Sequence, residues 1–410
     1  MNKVDVVFAG WGQSWVLGTL ATSGLDTVFE YSPEALQRGV ELSPLHLKLR
    51  REAYSGFLDH QAFLPGLVAD ALPDGWGLLL MDKLFLKNGR NLAGVTSLDR
   101  LSFIGSRAMG ALAFRPADAL ASSDDDLSLR ALAKATADVI EDKDTAALKL
   151  LAIVGGSPHG ARPKALVQFD EGAGVVSTRE GAPGSPWLVK FPAQREHQEV
   201  CAIEYAYSVF VRECGGDMPR TAYFDVDKGI SAFGIERFDR ADGMRVPVHS
   251  LAGALNANFR VPSLDYQTVL RATRFFTKDE AEVRKAFSRC VFNVILNNRD
   301  DHAKNFSFRM NSKMQWKLSP VYDVTFNTGP RGWHQTTVMG EGMNPAHSDL
   351  MKLAADCDVP RAAANEAIDH VREKASRMAS FLDGFEIRKA TRKTISEAIT
   401  ANARRCSVLV

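Results

Sequence analysis

The sequence predicts an α+β protein, β-rich in its N-terminal part and mainly helical in its C-terminal part. Three observations predict it. Short apolar runs broken by Gly and Pro fill the N-terminal quarter. Strand-like runs return between "KALVQFD" and "GISAFGIERFDR", around one long helical segment. Beyond Arg240 the pattern is helical, apart from short strand-like runs flanking Lys317. At 410 residues the chain exceeds the ~250–300 at which a single core stops growing, so several domains are expected.

The elements follow in order. "DVVFAG", "WVLGTL" and "TVFEYS" read as strands, the first two joined through "GWGQSW" as a hairpin. Val6 to Leu25 carries no charge over 20 residues, about the length of a bilayer span, but four glycines and the polar Gln13, Ser14, Thr19 and Thr22 dilute it. A hairpin is therefore predicted there. "LPDGWGLLLMDKLFLKN" reads as a helix entered through the Pro73-Asp74-Gly75 turn, and "SRAMGALAFRP" as a strand. Pro116 to Asp126 reads as a linker, whose acidic end, Asp124-Asp125-Asp126, favours the start of the helix in "LSLRALAKATADVIEDKD". "HQEVCAIEYAYSVFVREC" is the long helix of the middle part. Three domains are expected: residues 1–118, 119–239 and 240–410.

Composition narrows the function. Apolar residues make up 45% and charged residues 24%, and the net charge is +1, so no global attraction to nucleic acid or a membrane is expected. Five cysteines with no CxxC pair read as reduced thiols, which points to a cytoplasmic protein.

The segment "CVFNVILNNRDDHAKNFSFRM" joins an apolar run directly to the polar cluster Arg299 to Asn305. Phosphoryl transfer needs a carboxylate to take the acceptor's proton and oxygen ligands for Mg²⁺. Kinases supply these as an Asp, an Asn five positions on, and a later Asp. Asp300, Asn305 and Asp323 of "WKLSPVYDVTF" reproduce that order, with the buried run as a rigid mount. Asp301 competes, but its spacing to Asn305 is one short, and its charge falls close to the phosphates. His302 and Lys304 are placed to line them.

The remaining parts come earlier. Lys190 in "PWLVKFP" sits on an apolar strand, where an unpaired ammonium would be costly. Glu204, fourteen residues on in the next helix, is its expected partner, with Glu199 as the fallback. "VGGSPHGARPKALVQF" is a Gly-rich turn feeding a strand, in which Gly155, Gly156 and Gly160 allow close approach to phosphates while Arg162 and Lys164 add charge. "ISAFGIERFDR" supplies a hinge, with backbone groups of Glu236 and Phe238 near an adenine. Each signal is weak alone, but the six occur in the order a kinase requires.

The same residues resemble the HipA family of bacterial serine/threonine kinases, the toxins of toxin–antitoxin systems. "GGSPHGARPKA" is similar to its nucleotide loop, in an Arg-Pro-Lys subgroup, "ERFDR" to its hinge, "DDHAKNFS" to its catalytic loop and "LSPVYDVTF" to its metal-binding segment. "VLGTL", "VFEYSPEAL", "ELSPLHL" and "LPDGWG" resemble its N-terminal region, and "GPRGWHQTTVMGEGMNP" resembles the same subgroup. The resemblance implies a protein-kinase-like fold of two lobes, using ATP and Mg²⁺. It makes Asp300 the catalytic base and Asn305 and Asp323 the metal ligands. His159, Gly160, Ala161, Arg162, Pro163 and Lys164 would surround the nucleotide. So would Lys190, the hinge residues Glu236, Arg237 and Phe238, the loop residues His302, Ala303, Lys304 and Asn305, and Tyr322 with Asp323. Ser157 falls where members carry a regulatory phosphoserine. The implied substrate is a serine or threonine of a protein, in this family including aminoacyl-tRNA synthetases, and the implied partner is a small helix-turn-helix antitoxin that binds DNA. Two alternatives stand beside this reading. One is a kinase for a small molecule such as an aminoglycoside or sugar. The other is a nucleotide-binding corepressor that acts with a DNA-binding antitoxin.

Overall fold

The charge-free run near the N-terminus forms two strands of a sheet. In the computed structural model, which describes residues 1–407 apart from Leu25, Ala121, Ser122, Asp124 and Asp144, β1 (Lys3–Phe8) pairs antiparallel with β2 (Trp15–Ser23). β2 pairs in turn with β3 (Asp26–Tyr31), and β4 (Leu112–Arg115) adds to the other edge of β1, giving the order β3-β2-β1-β4. Gly18 is required at the crowded β2–β3 contact: a Cβ there would lie 2.4 Å from the Glu30 carbonyl oxygen. Among the described residues, no helix is long and apolar enough to cross a membrane. Asp124 of the predicted acidic run lies outside the described residues, and the helix after it spans Leu129–Ile140.

A second sheet carries the middle of the chain. Its order is β6-β5-β7-β9-β8, with β5 at Lys164–Asp170, β6 at Val175–Ser177, β7 at Ser185–Lys190, β8 at Thr221–Asp227 and β9 at Ile230–Glu236. Trp187, Val189, Ala232 and Phe233 are buried among its central strands. The long helix of the middle part spans Glu199–Glu213.

The chain divides into two compact units. The first holds Met1–Gln198, Ala222–His249 and Gly253–Asn256, so both sheets belong to it. The second holds Glu199–Thr221, Ser250–Ala252 and Ala257–Val410, and with them the Glu199–Glu213 helix. Its core is the Glu280–Ile295 helix, whose Val283, Phe287, Cys290, Val291 and Ile295 are fully or almost fully buried. Asp279 caps that helix by accepting the Ala281 N–H at 2.9 Å, and Glu280 and Glu282 suit its positive end.

The C-terminal half holds more short strands than periodicity predicts. Ser307–Met310 pairs with Trp316–Leu318, and Leu264–Asp265 pairs in parallel with Thr336–Thr337. Two-residue strands leave no alternation to read, so they escape a periodicity argument. The five cysteines are all free thiols.

Candidate active site

In the first unit, the Gly-rich turn follows a helix that the sequence reading missed, Leu148–Gly155. Gly155 and Gly156 stand where no side chain fits. A Cβ at Gly155 would come within 2.7 Å of the Lys164 carbonyl oxygen, and one at Gly156 within 2.1 Å of that of Ala152. These two glycines serve packing. Gly160 differs, with φ of 102°, a conformation that L side chains rarely adopt.

The turn is held from below by "DGWG". The Asp74 carboxylate accepts the Gly160 N–H, Trp76 N–H donates to the Gly160 carbonyl at 3.3 Å, and the Trp76 indole donates to the Lys164 carbonyl at 3.1 Å. Gly75 has φ of 44° and no room for a Cβ, which would sit 2.7 Å from the Ala161 Cα. Arg162 pairs with Glu196 at 3.2 Å, and Lys164 Nζ donates to the His159 carbonyl. Ser157 is buried, and its hydroxyl has no hydrogen-bond partner among the described residues.

Lys164 and Lys190 stand directly opposite each other in the antiparallel β5–β7 pair, and both are buried, at 4% and 5% exposure. Like charges at facing sheet positions repel, and a buried ammonium is costly. Such a pair concentrates positive charge where an anion would be stabilised. Lys190 Nζ also lies 5.7 Å from the centre of the Phe233 ring.

At the predicted hinge, Glu236 pairs with Trp187 across the sheet. The Arg237 N–H is committed to the Pro186 carbonyl, and its guanidinium grips Asp239 at 2.8 and 2.9 Å. Asp239 also accepts the Gly110 N–H at 2.8 Å. Burial alone would raise its carboxyl, but Arg237 and Arg240 hold it well below the usual carboxylate range. Arg237 thus serves the hinge as an anchor.

In the second unit, the polar loop leaves the Glu280–Ile295 helix through Asn297, a residue at φ of 56°. Asn305 closes the loop, its side-chain amide donating to the Asp300 carbonyl at 2.6 Å. That commits its nitrogen, so the atom it would give a cation is Oδ1. Tyr322 ties the next segment in: its hydroxyl lies 2.6 Å from the Lys304 carbonyl and 2.5 Å from Ser307 Oγ. Asp323 follows at φ of 56°, a strained conformation that costs roughly 1–3 kcal/mol and is common at functional sites. Mg²⁺ characteristically takes one or two protein oxygens beside phosphates and water, and Asn305 with Asp323 fits that share. Lys304 Nζ lies 4.1 Å from the Phe259 ring centre, and His302 Nδ1 accepts the Lys304 N–H. Ala303 is buried in the same turn.

Asp301 is the residue that sequence reasoning misplaced. It is fully buried, and its carboxylate accepts from Tyr266 Oη at 2.8 Å, the Gln335 N–H at 2.8 Å and the Thr336 N–H at 3.2 Å, with His334 Nδ1 at 2.9 Å. Burial, then the Asp301 charge, pushes the Tyr266 phenol well above its ordinary value, so it stays a donor. Asn293 and Asn298 extend the network, at 2.8 Å to Tyr266 Oη and 2.9 Å between their side chains. The carboxylate of Glu199 accepts from Arg388 and Thr391 at 2.5–2.9 Å. Glu204 is buried, at 2% exposure.

Residues 156–379 match the HipA-like C-terminal domain, and residues 10–115 match the HipA N-terminal domain. Two curated relatives are "Putative kinase Y4dM" of Sinorhizobium fredii and "Putative kinase" of Haemophilus influenzae. The first is 29% identical over 38% of this chain and 40% of its own length, the second 28% over 32% and 43%. The chain therefore spans about two-fifths of the length of these relatives. The HipA chain of Shewanella oneidensis, solved in a complex with HipB and operator DNA, superposes with a TM-score of 0.70. It is 18% identical, and the match covers 98% of this chain and 96% of that one, so the two share a kinase-like α+β fold.

Proposed function

The chain belongs to the HipA family, and from that premise we propose that it is an ATP- and Mg²⁺-dependent kinase acting on a serine or threonine of a protein. The observation that carries the proposal is the buried cross-strand pair Lys164–Lys190, a cationic site suited to the phosphates of a nucleotide. In this reading Asp300 accepts the acceptor's proton, Asn305 and Asp323 hold the metal, and the turn from His159 to Lys164 faces the phosphates. Glu236 and Phe238 flank the adenine, and Glu204 pairs with Lys190. Bound Mg²⁺ would neutralise charge on the β- and γ-oxygens. Ser157 is a regulatory phosphorylation site in the same reading, since a dianion in that buried position would expel the turn. The HipB and operator DNA bound to the Shewanella chain favour a small DNA-binding antitoxin as partner.

The test is γ-phosphate transfer from labelled ATP by wild type, Asp300→Asn and Lys190→Met. Loss of the general base lowers the rate by ~10²–10⁴-fold while nucleotide binding survives, whereas Lys190→Met weakens binding itself. Wild-type autophosphorylation by Asp300→Asn would sink the assignment.

A further inference from the structure

Asp300 does not stand alone on its loop. Its Oδ1 lies 2.5 Å from Nε2 of Gln335, a residue 35 positions on. A carboxylate only accepts, so the amide nitrogen is the end that faces it. The Gln335 backbone is itself pinned, its N–H lying 3.3 Å from the Arg299 carbonyl and 2.8 Å from Asp301 Oδ1. On the same approach, Arg299 donates to the Gly332 carbonyl, and Thr336 Oγ1 donates to the Asp301 carbonyl at 2.5 Å. Gly329, at φ of 68°, makes the turn possible: a Cβ there would lie 2.0 Å from the Trp333 carbonyl oxygen. The 329–336 segment is thus fastened at several points, and it presents an amide to Asp300.

We propose that Gln335 is a positioning residue for phosphoryl transfer, holding the Asp300 carboxylate in the orientation in which it takes the acceptor's proton. The proposal rests on the kinase reading above. In the step concerned, the acceptor oxygen bonds to the γ-phosphorus and the bond from that phosphorus to the β-bridging oxygen breaks. ADP leaves, and the hydroxyl proton passes to the Asp300 carboxylate. The Asp300 side chain is 40% exposed, with His302 Nε2 3.9 Å from its Oδ1. An amide donor at hydrogen-bond distance narrows the rotamers open to such a side chain. Misplacement of a catalytic group by about 1 Å costs on the order of 10²-fold in rate.

The test compares wild type, Gln335→Ala, Gln335→Glu and Asp300→Asn in steady-state transfer. Gln335→Ala lowers kcat by about 10–100-fold and leaves the KM for ATP within about twofold. Gln335→Glu keeps the length of the side chain but loses the donor, and lowers kcat at least as far with the same unchanged KM. A merely structural role would not separate kcat from KM in this way. Gln335→Ala with a kcat equal to or above that of wild type, or a fall in kcat matched by a like rise in KM, overturns the proposal. Full activity in Asp300→Asn overturns instead the kinase reading on which it rests.

Discussion

Adjacent aspartates with opposite jobs give a sharp prediction. Asp301→Asn keeps the shape of a fully buried side chain but replaces one of its two acceptor oxygens with a donor. Oδ1 serves the Gln335 and Thr336 N–H groups, while Oδ2 serves Tyr266 and His334, so whichever way the amide turns, one pair of donors meets a donor. Hydrogen bonds to a charged group contribute ~1.5–3 kcal/mol each, giving about 3–6 kcal/mol for two. His334 can recover one by exchanging its tautomer, which brings the expected loss to about 1.5–3 kcal/mol. Urea unfolding followed by far-UV circular dichroism measures it as a lowered midpoint at unchanged slope. Asp300→Asn is the matched control. Its side chain is 40% exposed, so stability stays within about 0.5 kcal/mol of wild type while transfer is lost. An Asp301→Asn protein that unfolds at the wild-type midpoint refutes the buried-hub argument.

Two further outcomes follow from the same reasoning. Ser157→Ala removes a buried hydroxyl that has no partner among the described residues, so the melting temperature holds or rises slightly; Ser157→Glu forces a charge into that position and weakens ATP binding in a titration. Glu199 supplies a pH dependence. Burial raises its carboxyl, but the Arg388 and Thr391 hydrogen bonds outweigh this and hold it below the ordinary 4.5. A depressed folded value means the pair's stabilisation is complete above pH 4.5 and fades as pH falls through the lower one. Glu199→Gln is therefore less stable than wild type near neutrality, and the gap narrows in acid. A gap in the denaturation midpoints that stays constant from pH 7 to about pH 3 contradicts this.

Local patterns carried much of this into the sequence. The hairpin at "GWGQSW", the strand ending in Lys190 and the helix leading to Asp300 each follow from periodicity and turn residues within a dozen positions. What escaped depends on contacts made far along the chain. Asp301 reads as a rival base until Tyr266 and His334, some 35 positions away on either side, close over it. Asp74 looks like a helix start, and only the fold brings its carboxylate to the Gly160 N–H. At Gly155 and Gly156 the sequence records where Cβ atoms are absent, and not which neighbour needs the room. Gln335 lies within "GPRGWHQTTVMGEGMNP", but the resemblance gives that residue no role of its own. An amide in a loop is common, and its proximity to Asp300 is the whole of its signal.

The footing that "DGWG" gives the Gly160–Lys164 turn has a consequence for how the N-terminal region should be regarded. It is no detachable ornament on the rest of the first unit. Asp74 and Trp76, at the start of the Gly75–Lys87 helix, hold the turn by three hydrogen bonds, so a substitution at either is expected to disturb the turn. A chain trimmed before β5 would keep the lysines and lose the scaffold that aims their neighbourhood.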